Sequence, residues 1–232
     1  MKICLFGDSI TRGVIYDENK GKYAFLKESF VNLLSSRQKV EIKNYSAFGC
    51  TLTKGEELVN SHLGELKDYD YIALEFGGND CNMDWAAVAQ NPGIAHNPAT
   101  PLNEFDSSYI RVIEKIKAAG GTPVLLTLPP LNASRFFNWV SKDLAKEKIL
   151  EFLGDVEFIS LWQESYNNLI YKIAEKTDTP VINIRGAFDS EKKLSALMCV
   201  DGMHPNAAGH NAMLKKLGEL EELIRRNKKM LV

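Results

Sequence analysis

The sequence predicts an α/β protein built on a parallel sheet. Three observations carry this. Short apolar runs recur along the chain, they are continuous rather than alternating, and amphipathic stretches with helical spacing separate them. Continuous apolar runs suit strands buried on both faces. Strands that alternate with helices pair in parallel, and the helices cover both sides of the sheet.

The elements follow in order. KICLFG (2–7) stops abruptly at Gly7-Asp8-Ser9, and VEIKNY (40–45) is the second strand. DYIALEF (70–76) lies between Asp70 and Gly77-Gly78, TPVLLTL (122–128) between Gly120-Gly121 and Pro129-Pro130, and PVINI (180–184) is the fifth. YAFLKESFVNLLSS (23–36) has Phe25, Leu26, Phe30, Leu33 and Leu34 at helical spacing. FDSSYIRVIEKIKAAGG (105–121) repeats the pattern at Tyr109, Val112, Ile113 and Ile116 and ends at glycines. SYNNLIYKIAEKT (165–177) and NAAGHNAMLKKLGELEELIRRN (206–227) also read as helices, and the charged tail KKLGELEELIRRNKK as a solvated face. The stretch 81–105, with Pro92, Pro98 and Pro101, has no strand pattern. A connection that long has a job or no order. No repeat, low-complexity tract or linker divides the chain, so one domain over 1–232 is expected.

Composition narrows the function. The 232 residues are 45% hydrophobic and 25% charged, enough apolar matter for one large core. A net charge of -2 and a pI of about 6.1 leave no footprint for nucleic acid or an anionic membrane. No apolar run is long enough to span a bilayer, and MKICLFGDSI is too short for a signal peptide. A cytoplasmic location is the expectation. Cys4, Cys50, Cys81 and Cys199 are scattered without a CxxC pair, which fits free thiols and argues against a zinc or redox motif.

In an open parallel sheet, ligands sit beyond the carboxyl ends of the strands. Gly7-Asp8-Ser9, NYSAFGCT (44–51) and Gly77-Gly78-Asn79-Asp80 follow the first three strands, and DGMHPN (201–206) precedes the last helix. A serine hydroxyl becomes a nucleophile when a base removes its proton, and histidine titrates in the right range. Of His62, His96, His204 and His210, only His204 stands just before a helix with an acid three residues earlier, Asp201, across a turn that Gly202 permits. That carboxylate can accept the imidazole Nδ1–H and fix the tautomer. Donors for a developing oxyanion are also at hand. They are the Gly49 backbone N–H, the Asn79 side-chain amide and the Ser9 N–H.

FGDSITRG, Gly49 within NYSAFGCT, GGND and DGMHP resemble the four blocks of the SGNH hydrolases, also called the GDSL esterase/lipase family. They occur in the family's order over nearly the whole chain. Ile10 stands where the name-giving motif has Leu, a swap of like size. The resemblance implies a three-layer α/β/α, flavodoxin-like fold and serine hydrolase chemistry that needs no metal or cofactor. Ser9 would be the nucleophile, His204 the base and Asp201 its orienting acid. Gly49 and Asn79 with the Ser9 N–H would form the oxyanion hole.

Asp80 is expected to hold neighbouring loops by hydrogen bonds, and Cys50 and Cys81 to pack beside the oxyanion donors. Asp8 next to the nucleophile, Trp85 in the 81–105 stretch, and Phe136 and Trp139 after the fourth strand are candidate substrate contacts. The expected substrate is a small-molecule carboxylic ester with a short acyl group on a polar alcohol, such as an acetylated carbohydrate. Lysophospholipid and thioester hydrolysis would follow the same mechanism. Two other classes remain as contrasts. One is a metal-dependent phosphoesterase with Asp8, Asp80, Asp201 and His204 around an ion, which chelation would inactivate. The other is a ligand-binding module without turnover.

Overall fold

A computed structural model describes residues 1–38 and 40–217 of the chain. The strands are β1 (Lys2–Gly7), β2 (Val14–Asp17), β3 (Lys22–Phe25), β4 (Glu41–Asn44), β5 (Tyr71–Glu75), β6 (Pro123–Leu126) and β7 (Val181–Ile182). The five apolar runs of the sequence supply β1, β4, β5, β6 and β7. They form one parallel sheet of order β4-β1-β5-β6-β7. The order reverses at β1, and the crevice beyond the strand ends opens at such a switch point.

Alternation along the strands sorts two cores. Cys4, Phe6, Ile72 and Leu74 face one side, under α3 (Leu52–His62), α5 (Leu102–Ala118) and α8 (Phe158–Thr177). Ile3, Leu5, Ala73, Val124 and Leu126 face the other, under α2 (Phe30–Gln38) and a last helix, α10, described from 207 to 217. The result is the three-layer α/β/α arrangement expected from the sequence. The remainder of the 206–227 helix and the charged tail extend outside the described residues. Among those residues, no helix is long and apolar enough to cross a membrane.

The sequence reading differs from the structure at 23–36. Residues 23–25 belong to a strand, and the helix starts at Phe30. The short helix α1 (Ser9–Arg12) ends at Gly13, which adopts φ 79°. The chain then folds into an antiparallel hairpin that pairs Val14 with Phe25 and Tyr16 with Tyr23. A short apolar run fits both helical and strand periods, and here the turn chemistry of 17–21 decides. Phe25, assigned to a buried helix face, is 67% exposed.

The 81–105 stretch contains α4 (Trp85–Gln90), capped by Asp84 on the Ala87 N–H at 3.0 Å. After β6 come α6 (Ala133–Val140) and α7 (Lys146–Leu153), and α9 (Glu191–Leu197) precedes the 201–206 turn. Val88, Phe136, Phe137, Ile149, Leu153 and Ile159 form a small core of their own beneath α4, α6 and α7.

Candidate active site

β1 ends at Gly7, and the next residue, Asp8, caps α1, its Oδ1 accepting the Ile10 N–H at 2.8 Å. Ser9 is therefore the first residue of a helix, and its N–H has no intrahelical acceptor. His204 Nε2 lies 2.9 Å from Ser9 Oγ, and His204 Nδ1 lies 2.6 Å from Asp201 Oδ2. All three residues are buried. Asp201 Oδ1 also accepts the backbone N–H groups of Met203 and His204, each at 3.1 Å. Burial works against the Asp201 charge, but the hydrogen bonds from His204 and the backbone outweigh it and hold the carboxyl below its ordinary range.

The turn that carries Asp201 and His204 is pinned from outside. Gly202 adopts φ 73°, and its carbonyl accepts the Asn132 N–H at 2.8 Å. A Cβ at Gly202 would lie 2.4 Å from the Phe136 nitrogen, so the turn needs glycine. The Arg135 guanidinium donates to the Met198 carbonyl at 2.9 Å. The other histidines serve elsewhere. His62 Nδ1 bonds the Leu58 carbonyl, His96 Nε2 bonds the Asn91 carbonyl, and His210 Nδ1 accepts the Phe30 N–H.

Asn79 Nδ2 donates to Asp8 Oδ2 at 3.0 Å and to the Cys50 carbonyl at 3.2 Å. Both amide hydrogens are thus engaged. Gly49 adjoins Cys50 with φ 66°, so the second and third loops meet at this carbonyl. Gly49 itself does not line the cleft beside Ser9.

Beneath Ser9 lies a buried carboxyl pair that the sequence reading missed. Glu75 ends β5 opposite Gly7 and hydrogen-bonds Asp8. Burial, then the Asp8 charge, pushes Glu75 well above the carboxylate range. Burial also raises Asp8, while hydrogen bonds from Glu75 and the Ile10 N–H pull it back. Glu75 therefore holds the shared proton and Asp8 the charge. The signal was visible, since YIALEF carries a glutamate inside an apolar run. Asp8, a candidate substrate contact, lines the cleft and also braces the site, with its oxygens bonded to Ile10 and Asn79.

Asp80 accepts the Leu52 N–H at 2.9 Å and the Thr100 hydroxyl at 2.7 Å. It ties the start of α3 to the end of the 81–100 excursion. Burial raises it to about 6 against those hydrogen bonds.

A cleft leads away from Ser9 between α4, α6, α7 and α8 and opens to solvent. Trp85 and Phe136 line it, as the sequence reading proposed. Trp139 does not. It turns to the hairpin, with ring centroids 4.6 Å from Tyr16 and 6.3 Å from Tyr23. The unforeseen hairpin offers an aromatic surface on that side of α6, and Trp139 packs there. The hairpin also reaches the site, with the Tyr23 ring 5.1 Å from that of His204. Phe48, in the loop after β4, lies 6.3 Å from the same ring. Tyr23 was hidden by the mistaken helix.

The chain is similar to known proteins along most of its length. The Bacillus subtilis protein YpmR is 23% identical over 223 residues, 93% of this chain and 79% of that one. A lipase/acylhydrolase from Enterococcus faecalis superposes with a TM-score of 0.61 at 20% identity, covering 93% of this chain and 94% of that chain. A single-site mutant of Axe2, an acetyl-xylooligosaccharide esterase from Geobacillus stearmophilus, superposes with a TM-score of 0.62 at 19% identity, covering 93% and 91%. These superpositions share the fold described above. Residues 5–212 match the GDSL-like lipase/acylhydrolase family. The chain belongs to that family and is a serine ester hydrolase of the SGNH/GDSL type.

Proposed function

We propose that the protein hydrolyses carboxylic esters through an acyl-enzyme on Ser9. The observation that carries this is the unbroken chain from Ser9 Oγ to His204 Nε2 at 2.9 Å and from His204 Nδ1 to Asp201 at 2.6 Å. His204 takes the Ser9 proton as Oγ attacks the ester carbonyl carbon. The negative oxygen of the tetrahedral intermediate faces the Ser9 N–H and the Asn79 amide, where it replaces the Cys50 carbonyl as the acceptor of one Asn79 hydrogen. The C–O bond to the alcohol breaks, and His204 gives that oxygen its proton. Water, deprotonated by His204, then cleaves the acyl-serine bond. Asp201 holds the Nδ1–H throughout and stabilises the imidazolium.

The alcohol half leaves beside His204, where Tyr23 and Phe48 present aromatic rings. An amphipathic ring surface of this kind suits a polar alcohol such as a carbohydrate. The metal-dependent alternative is less favoured, because Asp80 turns its carboxylate to Leu52 and Thr100 rather than toward His204.

The test is hydrolysis of p-nitrophenyl acetate by the wild type and Ser9→Ala, both with EDTA present. The expected loss in the alanine variant is on the order of 10³-fold or more. Equal rates in the two proteins, or loss of wild-type activity on chelation, would overturn the reading.

A further inference from the structure

We infer that the acyl half of the substrate is a medium-length alkyl chain, which lies in the cleft beside Ser9 with its end against Leu153, Phe158 and Ile159. This rests on Ser9 as the nucleophile and specifies the substrate of that same site.

The cleft begins at the reacting atom. Its polar lining includes Ser9, Asn79 and His204, with Asp8, Glu75 and Asn82. The rest of its lining is mostly apolar, with Met83, Trp85, Leu128, Leu131 and Phe136 among it, and the Trp85 and Phe136 rings pack edge to face at 6.1 Å. Leu153 of α7 and Ile159 near the start of α8 are buried and line it as well, beside Phe158, which is 40% exposed. The α8 side chains that line the cleft are held by partners within the protein. Trp162 Nε1 donates to the Cys81 carbonyl at 3.0 Å, Gln163 Nε2 donates to the Pro129 carbonyl at 2.8 Å, and Gln163 Oε1 accepts from Arg185 at 3.0 Å. An alkyl chain asks for no such partner. An acetyl group would leave this apolar space empty.

The layout also assigns which half of the ester enters. The leaving oxygen must reach His204, whose ring is flanked by Tyr23 and Phe48 at the open edge beside the hairpin. The acyl group stays covalently bound while the alcohol departs and water arrives. The half that stays is best held in the enclosed cleft, and the half that leaves at the open edge.

Each methylene buried in the cleft should raise kcat/KM by up to about fourfold. The experiment compares p-nitrophenyl acetate, butyrate, hexanoate, octanoate and decanoate with the wild type, Ser9→Ala and Leu153→Trp. The expected result is a Ser9-dependent rise of about two orders of magnitude from acetate to hexanoate, levelling once the chain outruns the cleft. Leu153→Trp, which fills the cleft beside Ile159, should lower the octanoate-to-acetate ratio at least tenfold. If that variant does not fold, free decanoate as an inhibitor of wild-type acetate hydrolysis decides instead. Competitive inhibition tighter than that by hexanoate supports the cleft, and equal or absent inhibition overturns it. A Ser9-dependent rate that is flat or falls with chain length overturns this inference alone. A rate that does not depend on Ser9 overturns the proposed function beneath it.

Discussion

Glu75 is the residue that ties the strand core to the site. Its carboxyl is protonated because two buried carboxyls in contact cannot both ionise. The proton makes Glu75 a donor to Asp8, and Asp8 in turn orients Asn79 and caps the helix that starts at Ser9. Glu75→Gln keeps a donor in the same place and should hold stability within about 1 kcal/mol of the wild type. Glu75→Leu leaves the Asp8 charge buried without that donor and should cost about 3 kcal/mol or more. Urea unfolding of the two variants separates these outcomes, and equal losses would mean that the hydrogen bond to Asp8 is not what matters. The contrast with Ser9, Asp201 and His204 shows what a sequence makes legible at this scale. Those three were readable because the chain has only 4 histidines, and a base must stand beside both a nucleophile and an orienting acid. Glu75 showed only as a lone glutamate inside the apolar run YIALEF, and its role depends on Gly7 lying opposite in the next strand, a register no local pattern displays.

Elements were legible where the period was long and repeated. α5 turns an unbroken apolar stripe of Tyr109, Val112, Ile113 and Ile116 into the core, and the sequence located it closely. The β2–β3 hairpin escaped, because four-residue strands carry too few periods to exclude a helix. That error displaced Tyr23 from the site and Trp139 into it. Contacts between elements were less legible still. Glu56 of α3 accepts a two-pronged hydrogen bond from Arg111 of α5, at 2.7 Å on each oxygen, and a third from Lys115 at 2.9 Å. Arg111 chiefly, against the cost of burial, draws the Glu56 carboxyl down to about 2. Solvent at the edge of the pair limits its worth to about 1 kcal/mol. Glu56→Gln should lower Tm by roughly 2 to 4 °C in low salt and by less in 1 M salt, where the pair is screened. Melts at the two salt concentrations check this, and a loss that ignores salt would assign the effect to packing.

At the scale of the whole molecule, the alternation of Ile3 and Leu5 against Cys4 and Phe6 distributes the core to both faces of the sheet, which is why continuous apolar runs announced the architecture. Burial that complete also sets how stability responds to pH. Asp80 is raised from its ordinary 3.8 to about 6 by burial, against hydrogen bonds from Thr100 and the Leu52 N–H. Between those values the folded chain holds the extra proton, so stability falls as pH rises, by about 3 kcal/mol in all. His210 runs the other way. Burial, then the nearby His204, lowers it from 6.5 to about 4. Between those values the unfolded chain holds the extra proton, so stability rises with pH by a similar amount. The two slopes nearly cancel from pH 4 to 6, and each is exposed when its counterpart is removed. Relative to the wild type, the Tm of Asp80→Asn should climb across this window, and that of His210→Gln should decline, each by roughly 6 to 12 °C. Asp8, Glu75 and Asp201 titrate alike in all three proteins, so they drop out of the differences. Thermal melts in steps from pH 4 to 6.5 supply the comparison. If both variants run parallel to the wild type, these two buried groups do not carry the opposing charges, and the pH response must be sought at the Asp8–Glu75 pair.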